Sequence, residues 1–488
     1  MTPLLQPGKR IHLVGIGGIG LSAIARVLHG LGFPVSGSDQ QLTDLTQELI
    51  KEGIPVRAGH RADGVASADL VIVSSAVPDN NAEIVEARRR GIPVVKREQI
   101  LGELTDKKIT IAVAGAHGKT TTSAMIAWIL VQAGLDPTYI VGGVLQNLGT
   151  NARAGTGPHF VIEADEYDRA FLGIRPNVAV VTVLEHDHPD CYPTFEEMRA
   201  AFKEFADGIA AGGLLIVCGD DAEARRLGES FSGRERRVER YGLDRRWDWW
   251  ADGANLGNHA IFEIGHKAGG KNGKRLGTCA LQVPGRHNVL NALAALAASN
   301  EAGVDFDTAA AALTRFQGTA RRFELKGQVD GVTVVDDYAH HPTEIRATLA
   351  ATQLKYPGRP IWAVFQPHTY SRTATLLDDF ATAFGDADHV IVTGIYPARE
   401  QNYLGISGDD LVAHMDHPDA RYAETLGLAV SMLTAKIEPG DVVITLGAGD
   451  GYLIGERVLE SIRTGGKKNN VGREAVEQPP WGEPSAWA

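Results

Sequence analysis

The sequence predicts an α/β protein of three domains with mostly parallel sheets. Three observations carry this. At 488 residues the chain exceeds what one hydrophobic core organises, and about 150 residues per domain gives roughly three. Short β-branched runs alternate with helical stretches from the N-terminus onward, the pattern of βαβ units. That alternation restarts twice, at Ile109 and near Arg321, which places domains at 1–107, 108–320 and 321–465.

In the first block Ile11–Val14 reads as a strand, Gly15–Gly20 as a tight loop and Leu21–Leu31 as a helix, with further strands at Val35–Gly37, Leu70–Ser74 and Val94–Val95. The second block opens on strand Ile109–Ala114, another glycine loop and another helix. It continues through strands Phe160–Glu163, Val178–Val183 and Leu214–Val217. Residues 230–280, rich in Arg, Trp and Gly, read as a less regular, antiparallel excursion, and Asn288–Ser299 as an alanine-rich helix. The third block holds strand Thr333–Val335, helix Pro342–Thr352, strand Ile361–Phe365, helix Ala374–Phe384, and strands His389–Val392 and Asp441–Leu446. Residues 466–488 are rich in Gly, Pro, Lys, Asn and Glu and read as a disordered tail.

Composition narrows the function. A formal charge of -12 opposes a general nucleic-acid or membrane-surface binder, although a few local cations suffice for an anionic substrate. No apolar run approaches the roughly 18 residues of a membrane span. The start, MTPLLQPGKR, leads straight into a strand rather than a signal-peptide core. Cys191, Cys218 and Cys279 are scattered, so neither a disulfide framework nor a cysteine zinc site is suggested, and a cytoplasmic location is expected.

Two glycine loops carry chemistry. Gly15-Ile-Gly17-Gly18-Ile-Gly20 fits the G-x-G-x-x-G turn between strand and helix, where backbone N–H groups meet a diphosphate; Asp39 follows at the spacing of a ribose-binding acid. Taken alone, this loop suggests a nicotinamide dehydrogenase. The second loop, Gly115-Ala-His117-Gly118-Lys119-Thr120-Thr121, ends as a phosphate loop does, with Val113 where the first glycine of the full motif would stand. Its N–H groups can wrap phosphates, Lys119 can reach the terminal oxygens and the Thr120 hydroxyl can ligate Mg²⁺. A dehydrogenase has no need of this second cradle.

Acids follow at two strand ends: Glu163-Ala-Asp165-Glu166, and Glu185-His186-Asp187-His188-Pro189-Asp190. Ligands of open α/β sheets bind at carboxyl ends of strands, and one or two carboxylates beside a hydroxyl and phosphates suffice for Mg²⁺. In the third block Arg321-Arg322, Asp336-Asp337-Tyr338-Ala-His340-His341 and His368-Thr-Tyr-Ser371-Arg372 also stand at strand ends and predict a ligand-facing edge.

The strings HLVGIGGIG, GAHGKTTT, EADEYDRAFL, HDHPDCY, RHNVLNALAA, FQGTARRFE, DDYAHHPTEI and FQPHTYSRT together resemble the Mur ligase family over nearly the whole chain, excepting 230–280 and the tail. The resemblance implies an N-terminal Rossmann-like UDP-sugar domain, a central P-loop ATPase-like domain and a C-terminal Rossmann-like domain for the amino acid. It implies an ATP- and Mg²⁺-dependent acid–amino-acid ligase of peptidoglycan synthesis. L-alanine would be joined to the carboxylate of UDP-N-acetylmuramate through an acyl phosphate, giving ADP and phosphate. A relative that ligates a murein tripeptide to the same nucleotide sugar in cell-wall recycling is the alternative. No nucleic acid, membrane insertion or obligate protein partner is implied.

By this resemblance Gly15, Gly17, Gly18, Gly20 and Asp39 hold the UDP diphosphate, and Ser74 and Ser75 lie near the muramyl sugar. Gly115, His117, Gly118, Lys119, Thr120 and Thr121 surround the ATP phosphates, with Asn288 and Asn291 near adenine and Arg321 near the phosphates. Thr120 and Glu163 would ligate one Mg²⁺ and His188 a second. His341, His368 and Arg372 face the junction of substrates, so Lys119, His188, His341 and Arg372 are the candidate catalytic groups, and His188 or His341 could be the general base. Some members bridge two metals with a carbamylated lysine; Phe202 stands at that position here, beside Lys203, so the bridge is expected to be absent.

Overall fold

The computed structural model describes residues 3–189, 191–231, 236–255, 260–267, 273–398 and 400–465. The predicted tail and Asp190 lie outside the described residues.

Three sheets follow one another along the chain. The first comprises β1 (Ile11–Val14), β2 (Val35–Asp39), β3 (Val56–Ala58), β4 (Leu70–Val73) and β5 (Val94–Lys96), in the order β3-β2-β1-β4-β5, all parallel. The second comprises β6 (Ile109–Ala114), β7 (Thr138–Leu145), β8 (Thr150–Arg153), β9 (His159–Glu163), β10 (Val178–Val181), β11 (Leu214–Cys218), β12 (Arg237–Gly242), β13 (Trp249–Asn255), β14 (Ala260–His266) and β15 (Lys274–Leu281). Its order is β15-β14-β13-β12-β11-β10-β6-β9-β7-β8. The third comprises β16 (Glu324–Val329), β17 (Val332–Asp337), β18 (Ile361–Phe365), β19 (His389–Thr393), β20 (Ala420–Ala423) and β21 (Val442–Leu446), ordered β16-β17-β21-β18-β19-β20, with only β16 antiparallel.

The central strands β6, β10, β11 and β21 are buried along nearly their whole length, as parallel strands covered on both faces must be. The helix Lys119–Gln132 packs on β6, β7 and β9 and beside the helix Arg286–Glu301, and it is buried from Thr120 to Leu130.

Two expectations need correction, and one hairpin was missed. The 230–280 stretch is not wholly antiparallel: β12 and β13 extend the parallel sheet, and only β14 and β15 reverse direction. The buried indole of Trp249 stacks on His266 at 4.1 Å and gives this outer part its own packing. The helix read at Ala374–Phe384 is two short helices, Tyr370–Thr375 and Leu377–Ala381, broken where Leu376 leaves helical geometry. The hairpin β7–β8 went unread because Gly142 and Gly143 interrupt its β-branched run. A side chain at Gly142 would meet the Glu163 carboxylate at 2.4 Å.

One apolar core runs from Ile11 to Phe316 through the first two sheets, whereas the third sheet builds separate cores on its two faces. The helix Ile19–Gly30 packs on β7 and β8, and its Arg26 donates to Asn151 Oδ1 at 2.9 Å.

Candidate active site

Strand β6 ends at Ala114 and delivers the second glycine loop to the sheet edge. Gly115 (φ +134°) and Gly118 (φ +82°) adopt backbone that L side chains avoid; added Cβ atoms would lie 2.1 Å from Thr182 Oγ1 and 2.5 Å from Asn291 Oδ1. The loop is thus wedged between the end of β10 and the helix Arg286–Glu301. Lys119 opens the next helix, and its Nζ donates to Gly115 O at 2.6 Å and to Glu166 Oε1 at 2.7 Å.

Strand β9 lies beside β6 with Val113 opposite Glu163, which brings the first acidic run against the loop. Thr120 Oγ1 donates to Glu163 Oε1 at 3.1 Å, and Gly142 N donates to Glu163 Oε2 at 2.6 Å. Burial raises the Glu163 pKa in spite of the neighbouring Lys119. Glu166 is fully buried; its Oε1 receives Lys119 and lies 3.3 Å from His188 Nε2, while its Oε2 has no partner. Burial works against the charge on Lys119, but Glu166, Asp165 and Glu163 outweigh it and raise the pKa.

Strand β10 pairs with the other side of β6 and carries the second acidic run. Asp187 is buried and accepts from Arg372 Nη2 at 2.8 Å and Nε at 3.2 Å. Despite burial, Arg372 and then His188 hold its carboxyl well below the usual range. Arg372 Nη1 lies 3.3 Å from His368 Nδ1. His117 bridges Glu185 (3.0 Å) and Glu344 (3.2 Å); burial lowers its pKa, but these two hydrogen bonds prevail and raise it to about 9.

These groups surround two cavities. The larger, of about 780 Å³, is lined from all three sheets' surroundings: Gly20 and Arg97, then Lys119, Glu163 and His188, then Arg322, His340, His368 and Arg372. The smaller, of about 160 Å³, is lined by His117, Thr121, Tyr241, Asn288 and Asn291. Gly118, Thr120, Arg322 and Glu344 line both.

Comparison with known proteins gives the same architecture. Family models described as Mur ligase family, catalytic domain; Mur ligase middle domain; and Mur ligase, glutamate ligase domain match residues 10–109, 113–299 and 321–449. The chain belongs to the Mur ligase family. It is 44% identical to the UDP-N-acetylmuramate–L-alanine ligase of Roseiflexus castenholzii over 92% of this chain and 96% of that one. It is 43% identical to the ligase of the same name from Salinibacter ruber over 98% of both. The crystal structure of UDP-N-acetylmuramate–alanine ligase from Thermotoga maritima superposes with a TM-score of 0.79 at 31% identity, covering 93% of this chain and 99% of that one. A murein peptide ligase from Psychrobacter arcticus superposes at 0.72 with 27% identity and the same coverage.

Most residues singled out from the sequence of this Mur ligase converge on the two cavities, but several take different places. In the first loop Gly15 N donates to Ser38 O and Gly17 N donates to Asp39 Oδ2 at 2.8 Å, so Asp39 braces the loop from within; Gly20 lines the large cavity. Ser74 packs behind Gly15, and Ser75 Oγ donates to Asp168 Oδ2 at 2.7 Å across the first and second sheets. Arg321 lines the large cavity but spends its guanidinium on Asp336 (3.0 Å) and the carbonyls of Gly447 (2.8 Å) and Gly449 (3.0 Å); its neighbour Arg322 lines both cavities. His341 caps the helix Pro342–Lys355 and packs on His117, whereas His340 lines the large cavity. Phe202 packs edge-on against Phe171 in the core, and Lys203 pairs with Asp207 at the surface, so neither reaches the site.

The sequence reading placed Glu166 and Asp187 in the acidic runs and Arg322 and His340 on the ligand-facing edge, but it gave none of them, nor Glu344, a role of its own. Their signal was adjacency to strand ends, which does not say which of two neighbours turns inward.

Proposed function

We propose that this Mur ligase joins L-alanine to the carboxylate of UDP-N-acetylmuramate with ATP, releasing ADP and phosphate, in peptidoglycan precursor synthesis. One observation carries the reading: the Lys119–Glu163–Glu166 cluster opens onto a cavity to which the surroundings of all three sheets contribute. The names of the relatives at 43–44% identity favour alanine over a murein tripeptide as the acceptor.

The nucleotide sugar would enter over Gly20 at the helix N-terminus, a place suited to a diphosphate. ATP would lie along the shared wall of the cavities, adenine toward Asn288 and Asn291 and phosphates at Gly115–Thr121. Lys119, half-buried and charged, would turn from Glu166 toward the γ-phosphate, and Arg322 would join it. The Thr120 hydroxyl and the Glu163 carboxylate form an all-oxygen pair that fits Mg²⁺. His188 and Glu166, whose Oε2 lacks a partner, would hold a second ion. Bound Mg²⁺ would neutralise charge on the phosphate oxygens.

The muramyl carboxylate attacks the γ-phosphorus and ADP leaves; the amine of alanine then attacks the acyl phosphate carbonyl and phosphate leaves. Arg372, fixed by Asp187, would hold the carboxylate of alanine. The amine must lose a proton. Burial, only partly offset by Glu344, lowers the His340 pKa to about 3 and keeps its ring neutral, with Nδ1 engaged by Tyr338 O; so weak a base suits hydrogen bonding to substrate rather than taking that proton. His188, with a raised pKa, suits charge stabilisation instead: burial lowers it, but the Glu166 hydrogen bond outweighs that.

The test is phosphate release with ATP, UDP-N-acetylmuramate and either L-alanine or the murein tripeptide. Release with alanine that needs all three substrates is expected; faster release with the tripeptide, or none with alanine, would overturn the assignment. Lys119→Ala should lower turnover by about 10²–10³-fold, the cost of removing one preorganised charge stabiliser.

A further inference from the structure

Three side chains meet where the Lys119 loop faces the C-terminal domain. His117 comes from the loop, Glu185 from the end of β10, and His341 from the cap of the helix Pro342–Lys355. One ligand-capable atom from each lies within 4.8 Å of the others. His117 Nε2 is 3.0 Å and His341 Nδ1 is 3.9 Å from the same oxygen, Glu185 Oε2.

The surroundings orient each of them. His117 Nδ1 faces Glu344 Oε1 at 3.2 Å, which turns Nε2 to the centre; carboxylates orient metal-bound imidazoles in this way. The Thr343 hydroxyl donates to Glu185 Oε1 at 2.9 Å and leaves Oε2 for the centre. His341 is only 3% exposed; its Nδ1 accepts from Thr343 N at 3.4 Å and also faces Glu185, while its Nε2 has no hydrogen-bond partner.

We propose that His117, Glu185 and His341 form a second kind of cation site, separate from Thr120, Glu163 and His188, for a transition-metal dication of the Zn²⁺ class. Two imidazole nitrogens and one carboxylate oxygen suit Zn²⁺ or Co²⁺ and suit Mg²⁺ poorly. Three protein ligands leave a fourth position for water. Two ligands belong to the central domain and one to the C-terminal domain, so a bound ion fastens the two together beside the small cavity, which His117 and Thr343 line. It thereby holds the closed arrangement and slows the opening through which nucleotide leaves.

Co²⁺ is the probe. Full-length protein, treated with chelator and free of ATP, is titrated with Co²⁺ while its visible d–d absorption is followed; four-coordinate Co²⁺ absorbs far more strongly than the aqueous ion. One equivalent should bind and be displaced by Zn²⁺. His341→Ala should weaken binding at least tenfold, Glu344→Gln should weaken it by about 10–100-fold as loss of an orienting partner does, and Glu163→Gln should leave it intact. If His341→Ala fails to fold by circular dichroism, His341→Gln, which keeps most of the volume, gives the same reading. The absence of an intense band, its persistence in the His341 variants, or its loss in Glu163→Gln alone each overturns the proposal. None of these outcomes depends on which amino acid the enzyme joins.

Discussion

Glu166 is the residue whose environment says most about the site. It is fully buried, yet it carries one oxygen shared between Lys119 and His188 and another with no partner. Burying an unpaired carboxylate oxygen is costly, and a cation bound there would offset that cost. Glu166 also holds the Lys119 ammonium that, on the proposed reading, turns to ATP. Glu166→Gln keeps the shape and removes the charge. Turnover should fall by about 10–100-fold through lost positioning of Lys119 and His188, while ATP affinity does not fall. The pKa of His188 should drop, because the hydrogen bond it donates to Glu166 is what chiefly opposes burial there. An imidazole NMR titration of His188 that stays where it is in the wild type would refute this linkage. The same scale explains how neighbours take different places. Arg321 sits at φ +58°, and both arginines line the large cavity, but of the two only Arg322 also lines the small one. His340 and His341 likewise diverge at the helix start, and no periodicity yet operates there to say which turns inward.

At the scale of elements, the site is the carboxyl edge of β6 with its neighbours β9 and β10. That edge was legible in the sequence because each strand is a continuous apolar run that stops at the residues bearing the chemistry. The loop after β6 was legible from its glycines, which have two distinct reasons to be there. At Gly118 both apply: left-handed backbone and a neighbour, Asn291 Oδ1, 2.5 Å from any Cβ. Gly118→Ala should cost about 1–2 kcal/mol in backbone strain and displace Asn291 from the small cavity. The expected result is a lower melting temperature together with a raised KM for ATP; an unchanged KM would show that the loop tolerates the shift. The hairpin β7–β8 was hidden for the converse reason. Gly142 is glycine because Glu163 approaches its backbone, and that tertiary demand erased the local strand signal.

For the whole molecule, the two junctions between sheets differ in kind. The first and second sheets share one apolar core, reinforced by Arg26–Asn151 and by Arg97–Asp165 at 2.8 Å. The third joins through polar contacts: Arg372–Asp187, Thr343–Glu185 and His117–Glu344. A junction of this second kind opens more readily and responds to pH. His117 is the titrating member. Its pKa when enclosed, about 9, exceeds the usual 6.5 because Glu185 and Glu344 outweigh burial. A raised pKa means that the contribution to closure is complete below about 6.5, declines above it, and is lost as pH rises through 9. Small-angle scattering of the substrate-free protein should therefore show a larger radius of gyration at high pH, with the change centred between those values. His117→Asn, which cannot carry the charge, should already be expanded at neutral pH and should flatten the profile across that window. A wild-type radius that stays constant from neutral pH to beyond the His117 transition would mean that the C-terminal domain is held by something other than this charged contact.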